Sequence, residues 1–208
     1  MIKKIKFLFV VFLLSYFLPT TQLFCASLED TSMESGAKEK KLGFDHKERD
    51  AIDIIRKKLI RNIEMGNIDN IKIFLKDYKN DINFIINGLN PFTHTASVNN
   101  FELLKFFLNE TKINIDITDE FGNTALINAS DKGNLEIVNF LINNGADINY
   151  QNKQGLTPAM KATERNNFYI VKLLLDKNVD LTKSDYSGRT LKEIAEDSRD
   201  KRILKLLN

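Results

Sequence analysis

The chain is short of the residues that build covalent or metal frameworks: two histidines and one cysteine in 208 residues. One thiol cannot close a disulfide within a chain. Three nitrogen or sulfur donors at most are too few for a structural zinc site with its usual paired spacing. Cys25 lies in the amino-terminal segment, so whatever follows that segment is held together by packing alone. Excess charge of one sign is also missing. There are 30 basic and 28 acidic residues, and removing the three lysines of residues 1–27 leaves 27 against 28. That balance gives no footing for nucleic acid or an anionic membrane as the main partner. Gly-rich phosphate loops are lacking too, and no nucleophile, base and orienting group fall into a recognisable order. Metal, cofactor and enzyme readings therefore all start without support.

What is present at the amino terminus is a targeting pattern. Lys3, Lys4 and Lys6 precede an almost wholly apolar run from Phe7 to Leu18, and Cys25-Ala26-Ser27 places small residues before Leu28. The run is too short for a comfortable membrane helix, which needs roughly 20 residues. Phe24 is bulkier than a lipoprotein site accepts. Residues 1–27 read as a cleaved secretory signal, with an uncleaved anchor as the alternative. Residues 28–45 are charge-rich without apolar periodicity and read as a disordered tether.

The rest of the chain repeats. Gly88-Leu-Asn-Pro-Phe-Thr-His-Thr-Ala96, Gly122-Asn-Thr-Ala-Leu-Ile-Asn-Ala-Ser130, Gly155-Leu-Thr-Pro-Ala-Met-Lys-Ala-Thr163 and Gly188-Arg-Thr-Leu-Lys-Glu-Ile-Ala-Glu196 follow one another at intervals of 34, 33 and 33. A fixed period of this size marks stacked units. In the clearest copy, Thr124 opens a first helix through Ser130, and Gly133-Asn134 breaks it. A second helix follows with Leu135, Ile137, Val138, Leu141 and Ile142 spaced for burial. Gly145 is expected to end it in the left-handed conformation. Thr124, Thr157 and Thr190 can cap the first helices, and Pro91 and Pro158 suit their first turns. An earlier, degenerate copy runs Gly66-Asn-Ile-Asp-Asn-Ile-Lys-Ile-Phe-Leu75, preceded by Ile55, Leu59, Ile60 and Ile63 at helical spacing.

These residues resemble the ankyrin repeat, whose fingerprint is Gly-x-Thr-Pro-Leu-His-x-Ala, a second helix and a Gly-Ala-Asp-x-Asn exit. The resemblance implies an all-α solenoid of stacked helix-turn-helix units with protruding turns or short hairpins. It covers residues 46–208, with repeats at about 55–87, 88–121, 122–154, 155–187 and a shortened 188–208. The family's histidine is replaced by Thr93, Ile127, Met160 and Glu193, so its bond to the preceding threonine is not expected in any unit. Tyr78 and Thr111 take the place of the left-handed glycine. That costs roughly 1–2 kcal/mol unless the turn changes shape.

Family resemblance also implies the function class, a protein-binding surface made of turn tips and the exposed side of the first helices. It maps onto Glu120, Phe121 and Asn123, onto Lys153, Gln154 and Leu156, and onto Tyr186, Ser187 and Arg189. The first-helix ends add Asp131, Lys132, Glu164 and Arg165. Phe121, Tyr186 and Arg189 carry most weight, because aromatic and arginine side chains are enriched at interface hot spots. The expected partner is an unidentified protein, met by a monomer without cofactor, metal or nucleic acid. An exported effector and a periplasmic or envelope scaffold or inhibitor are the two readings of that role. A hydrolase would have only His94, Glu164 and Asp131 to draw on. The weak turns at Tyr78 and Thr111 predict a soft start to the array. Hydrogen exchange should show least protection across residues 55–110, and greatest protection there would contradict it.

Overall fold

A computed structural model describes residues 46–77 and 82–208. The signal and tether readings, and Tyr78, lie outside the described residues. Among those described, ten helices form five consecutive pairs. They are α1 (His46–Glu64) with α2 (Ile68–Asp77), α3 (Pro91–Ser97) with α4 (Phe101–Glu110), α5 (Ala125–Lys132) with α6 (Leu135–Asn143), α7 (Pro158–Glu164) with α8 (Phe168–Asp176), and α9 (Leu191–Asp197) with α10 (Lys201–Leu206). Each first helix packs on the first helix of the next pair, from α1 to α9. None of these helices is long and apolar enough to cross a membrane.

The local sequence explains each helix start. Thr124, Thr157 and Thr190 accept the amides of Ile127, Met160 and Glu193 through their side chains. Asn90 does the same for Phe92 and Thr93 and also donates to the carbonyls of Ile82 and Phe84 at 3.1 and 3.2 Å. It therefore ties the first turn of α3 to the strand-like segment before it. Breaks between paired helices are equally specific. Gly66, Asn99, Gly133 and Asn166 all have φ between 58° and 81°, the region where a missing or short polar side chain costs least. Gly145 and Asn178 fill the same role at the ends of α6 and α8.

At Thr111 the turn does change shape. Its φ and ψ are −122° and 154°, and its hydroxyl closes on the Phe107 carbonyl at 2.6 Å, so no left-handed residue is needed. The histidine substitution has an unforeseen remedy in the last unit. Glu193 Oε2 accepts from both the amide and the hydroxyl of Thr190, at 2.6 and 2.9 Å. A carboxylate thus performs the imidazole's task by closing a capping box.

The apolar core runs unbroken along the stack, from Leu59 and Ile63 through Phe92, Leu104, Phe107, Leu126, Leu141, Val171 and Leu174 to Ile203. A buried side chain of this size contributes roughly 1.5–3 kcal/mol. Leu135 departs from expectation: it begins α6 on the outer side and remains 42% exposed. Between units, polar side chains satisfy backbone groups that the helices leave open. Asn134 Nδ2 donates to the Ala96 carbonyl and Asn167 Nδ2 to that of Ser130, both at 2.8 Å. These carbonyls lie at or near first-helix ends, where no intrahelical donor remains. At the exit turns, Asp116 and Asn149 side chains accept the amides of Asp147 and Asp180. Between the last two pairs described, Asn166 Oδ1 accepts from both Ser198 Oγ and the Asp200 amide at 2.9 Å.

Among the described residues one buried hydroxyl, Ser130 Oγ, has no partner. The equivalent position in the preceding unit is Ala96, also fully buried, so the site accepts a methyl. An unsatisfied buried polar group costs about 1–3 kcal/mol. Ser130→Ala should therefore raise the unfolding free energy by about 1 kcal/mol in urea denaturation. A fall in stability would show that the hydroxyl is needed.

Candidate protein-binding face

Tips project between successive units, and each is built by its own sequence. In the first, Ile86 and Leu89 exchange both backbone bonds at 3.0 Å around Asn87-Gly88. The next three share one design. Asp119, Asn152 and Asp185 each use a side-chain oxygen to accept two amides within the turn, at 2.9 Å in every case. The backbone amides of the same three residues bond to Asn123, Leu156 and Arg189 carbonyls, closing the loops from the other side. This local bonding fixes the tips without any covalent link.

The tips are also joined to one another. Glu120, Lys153 and Tyr186 donate their amides to the carbonyls of Gly88, Phe121 and Gln154, at 3.2, 3.1 and 3.0 Å. That approach explains the glycines. A β-carbon at Gly122 would lie 2.9 Å from the Lys153 amide nitrogen, and one at Gly155 would lie 2.7 Å from that of Tyr186. Both glycines also have φ above 70°, so a side chain would be strained as well as obstructed. A β-carbon at Gly188 would meet nothing within 4 Å among the described residues.

Of the residues singled out from sequence, Glu120, Phe121, Lys132, Lys153, Gln154, Glu164, Arg165, Tyr186, Ser187 and Arg189 are exposed. Asn123 and Asp131 are half-buried. Leu156 must be removed from the exposed set. It is 5% exposed and packs into the apolar core, although its amide and carbonyl bond to Asn152 just as those of exposed Arg189 bond to Asp185. Phe121 and Tyr186 are 61% and 76% exposed, the latter among the most exposed large apolar side chains described.

The charged residues form an arrangement that single-unit reasoning missed. Arg165 Nε meets Asp131 Oδ1 at 2.8 Å, across 34 residues of sequence. Lys161 lies between Asp131 at 3.7 Å and Glu164 at 3.2 Å. Arg189 spans Asp185 at 2.8 Å and Glu164 at 3.8 Å. Three units are thereby linked by alternating charge along their first helices and the last tip. Each of these pairs keeps at least one side chain partly in water, and a surface ion pair contributes little to stability, about 0–1 kcal/mol. Their stronger effect is on side-chain position. Glu164 and Arg165, expected from sequence on the binding surface at a first-helix end, have fixed partners. The Asp131 hydrogen bond and charge raise the Arg165 pKa. Hydrogen bonds from Arg189 and Ser187 hold the Asp185 carboxyl below its ordinary range, although burial, the largest single influence, pushes the other way.

Lys161 was the overlooked member, and the repeat register is the signal that finds it. His94, Asn128, Lys161 and Ile194 occupy the same position in successive units. Asn128 Nδ2 reaches Asp119 Oδ2 at 3.2 Å, inside the next tip's base. His94 faces Glu64 Oε1 at 3.5 Å, too far for a good hydrogen bond. Among the described residues no group of three or more acidic, histidine or cysteine side chains is placed to hold a metal.

Burial lowers the His94 pKa from 6.5, and the Glu64 charge only partly offsets it. The sign of the consequence is fixed. The unfolded chain binds the proton more readily, so acidification favours unfolding. Stability should rise with pH up to about 6.5 and fall below it. His94→Asn, which copies the Asn128 register, should flatten that part of the profile in denaturant titrations on either side of 6.5. An unchanged slope would place the pH dependence elsewhere.

The geometry agrees with comparison to known proteins. A family model described as ankyrin repeats in three copies matches residues 59–152 and again 144–208. No match was found among curated proteins. Paired helices at a period of 33–34 residues, threonine-capped first helices, bonded tips and this match over most of the sequence lead to one assignment: the chain belongs to the ankyrin repeat family.

Proposed function

We propose that the chain is an exported, non-enzymatic module that binds another protein through its tips and first helices, and that it acts as a secreted effector. The family is generally one of protein-binding modules. The observation that carries the reading here is the pair Phe121 and Tyr186. Each stays well exposed on a tip whose backbone is fixed by its own turn and by the neighbouring tip. Aromatic anchors on a preorganised backbone lose little freedom on binding, which is what gives hot spots their strength. Arg189, three residues after Tyr186, is held by Asp185 yet remains 45% exposed in its side chain.

The charge pattern supports a protein rather than a polyanion. Lys161, Arg165 and Arg189 on this face are each matched to a carboxylate, leaving no continuous basic stripe. The enzyme alternative is weakened by the same contacts. Asp131 and Glu164 are tied to Lys161, Arg165 and Arg189, while His94 lies apart from them beside Glu64. Export rests on residues 1–27 of the sequence. A periplasmic or envelope scaffold or inhibitor would use the same face.

Affinity capture with residues 28–208, from host-cell and bacterial-envelope extracts, separates these roles. A captured partner should bind Phe121→Ala or Tyr186→Ala roughly thirtyfold more weakly, the loss of a hot spot. The triple change with Arg189→Ala should abolish capture. Capture from host extract favours the effector, and capture from the envelope favours the scaffold. Equal capture by wild type and triple variant would move the binding surface away from these tips.

A further inference from the structure

The sequence contains two Asn-Gly pairs, Asn87-Gly88 and Asn144-Gly145. Such a pair is chemically vulnerable because the unhindered glycine amide nitrogen can reach the asparagine side-chain carbonyl carbon. The fold treats the two pairs oppositely. At the end of α6, the Gly145 amide donates to the Ile142 carbonyl at 3.0 Å, and Asn144 Nδ2 donates to the Phe140 carbonyl at 2.8 Å. Ring closure there requires both bonds to break. At the first tip, both bonds of the hairpin lie outside the pair, between Ile86 and Leu89. Asn87 is exposed at φ 51°, Gly88 is buried against the Glu120 carboxylate, and among the described residues neither the Asn87 carboxamide nor the Gly88 amide has a hydrogen-bond partner.

We propose that Asn87 is a site of spontaneous deamidation in the folded protein, and that Asn144 is protected. The Gly88 nitrogen gives its proton to water and forms a bond to Asn87 Cγ. The side-chain nitrogen leaves as ammonia, and a five-membered succinimide remains. Water then opens the ring at either carbonyl, giving aspartate or isoaspartate. One water is consumed and one ammonia released, with no oxidant, reductant or metal.

The position makes the change consequential. The Gly88 carbonyl accepts the Glu120 amide at 3.2 Å, the bond that holds the first tip against the second. Isoaspartate inserts a methylene into the main chain of a two-residue turn, whose geometry allows no extra atom. It also brings a new carboxylate close to that of Glu120. Conversion at Asn87 therefore releases the first tip from the second.

The test is incubation of the purified full-length chain in mildly alkaline buffer, folded and in concentrated urea, with peptide mass mapping of both pairs. Conversion is read as the mass change of an amide becoming an acid. In the folded chain Asn87 should convert roughly tenfold faster than Asn144, the factor expected from keeping hydrogen bonds intact at the latter. In urea the two rates should converge. Folded protein in which Asn144 converts as fast as Asn87 would overturn the proposal. So would an Asn87 that stays intact while both pairs react in urea. The converted fraction should also exchange the Glu120 amide hydrogen faster than the unconverted, and equal exchange would refute the link between the tips.

Discussion

A helix pair of this size cannot bury its own apolar face, and every other feature follows from that constraint. Leu126, Ile127 and Ala129 lie on one short helix and are fully buried only because α3 and α7 cover it from two sides. Stability in such an array is a sum of unit and nearest-neighbour contributions. The ends must then differ from the middle. Ala96, Ser130 and Thr163 are buried at equivalent positions, while the charged Glu196 at the same register in the pair of α9 and α10 is exposed.

Stacking also makes the binding face. The period of 33–34 residues brings Asp131 to Arg165, Asn134 to Ala96 and Glu120 to Gly88, pairs that no local rule would join. Three kinds of contact recur at different heights of the stack. Asparagine side chains close first-helix ends, carboxylates and carboxamides bridge the exit turns, and backbone bonds join the tips. Because each contact fixes one unit against the next, the exposed side chains of separate units hold defined positions relative to each other. A set of fixed anchors, rather than a pocket with chemistry in it, is the physical basis for reading the surface as one that binds.

Much of this could be read from sequence because the repeat states it several times. Helix order, the threonine caps at 124, 157 and 190, and the left-handed Gly145 each obey a local rule. What escaped depends on neighbours. Leu156 follows a tip glycine and makes the same backbone bonds as exposed Arg189, yet its apolar side chain packs into the core. Leu135 fits a helical stripe but opens its helix on the outer side. Lys161 is an ordinary lysine until the register sets it between Asp131 and Glu164. The capping box of Thr190 and Glu193 was a local signal, visible as a threonine followed three residues on by glutamate.

The central claim is that neighbouring units stabilise one another. The most direct measurement is the urea unfolding of a chain ending at residue 187 beside the full chain. Removing the last unit uncovers the side of α7 and α8 that α9 and α10 pack against. The shortened chain should unfold at distinctly lower urea, with weaker hydrogen-exchange protection at Val171 and Leu174 than at Leu126 and Leu141. An unchanged midpoint, with protection equal along the remaining units, would contradict the account and mean that each pair of helices is stable alone.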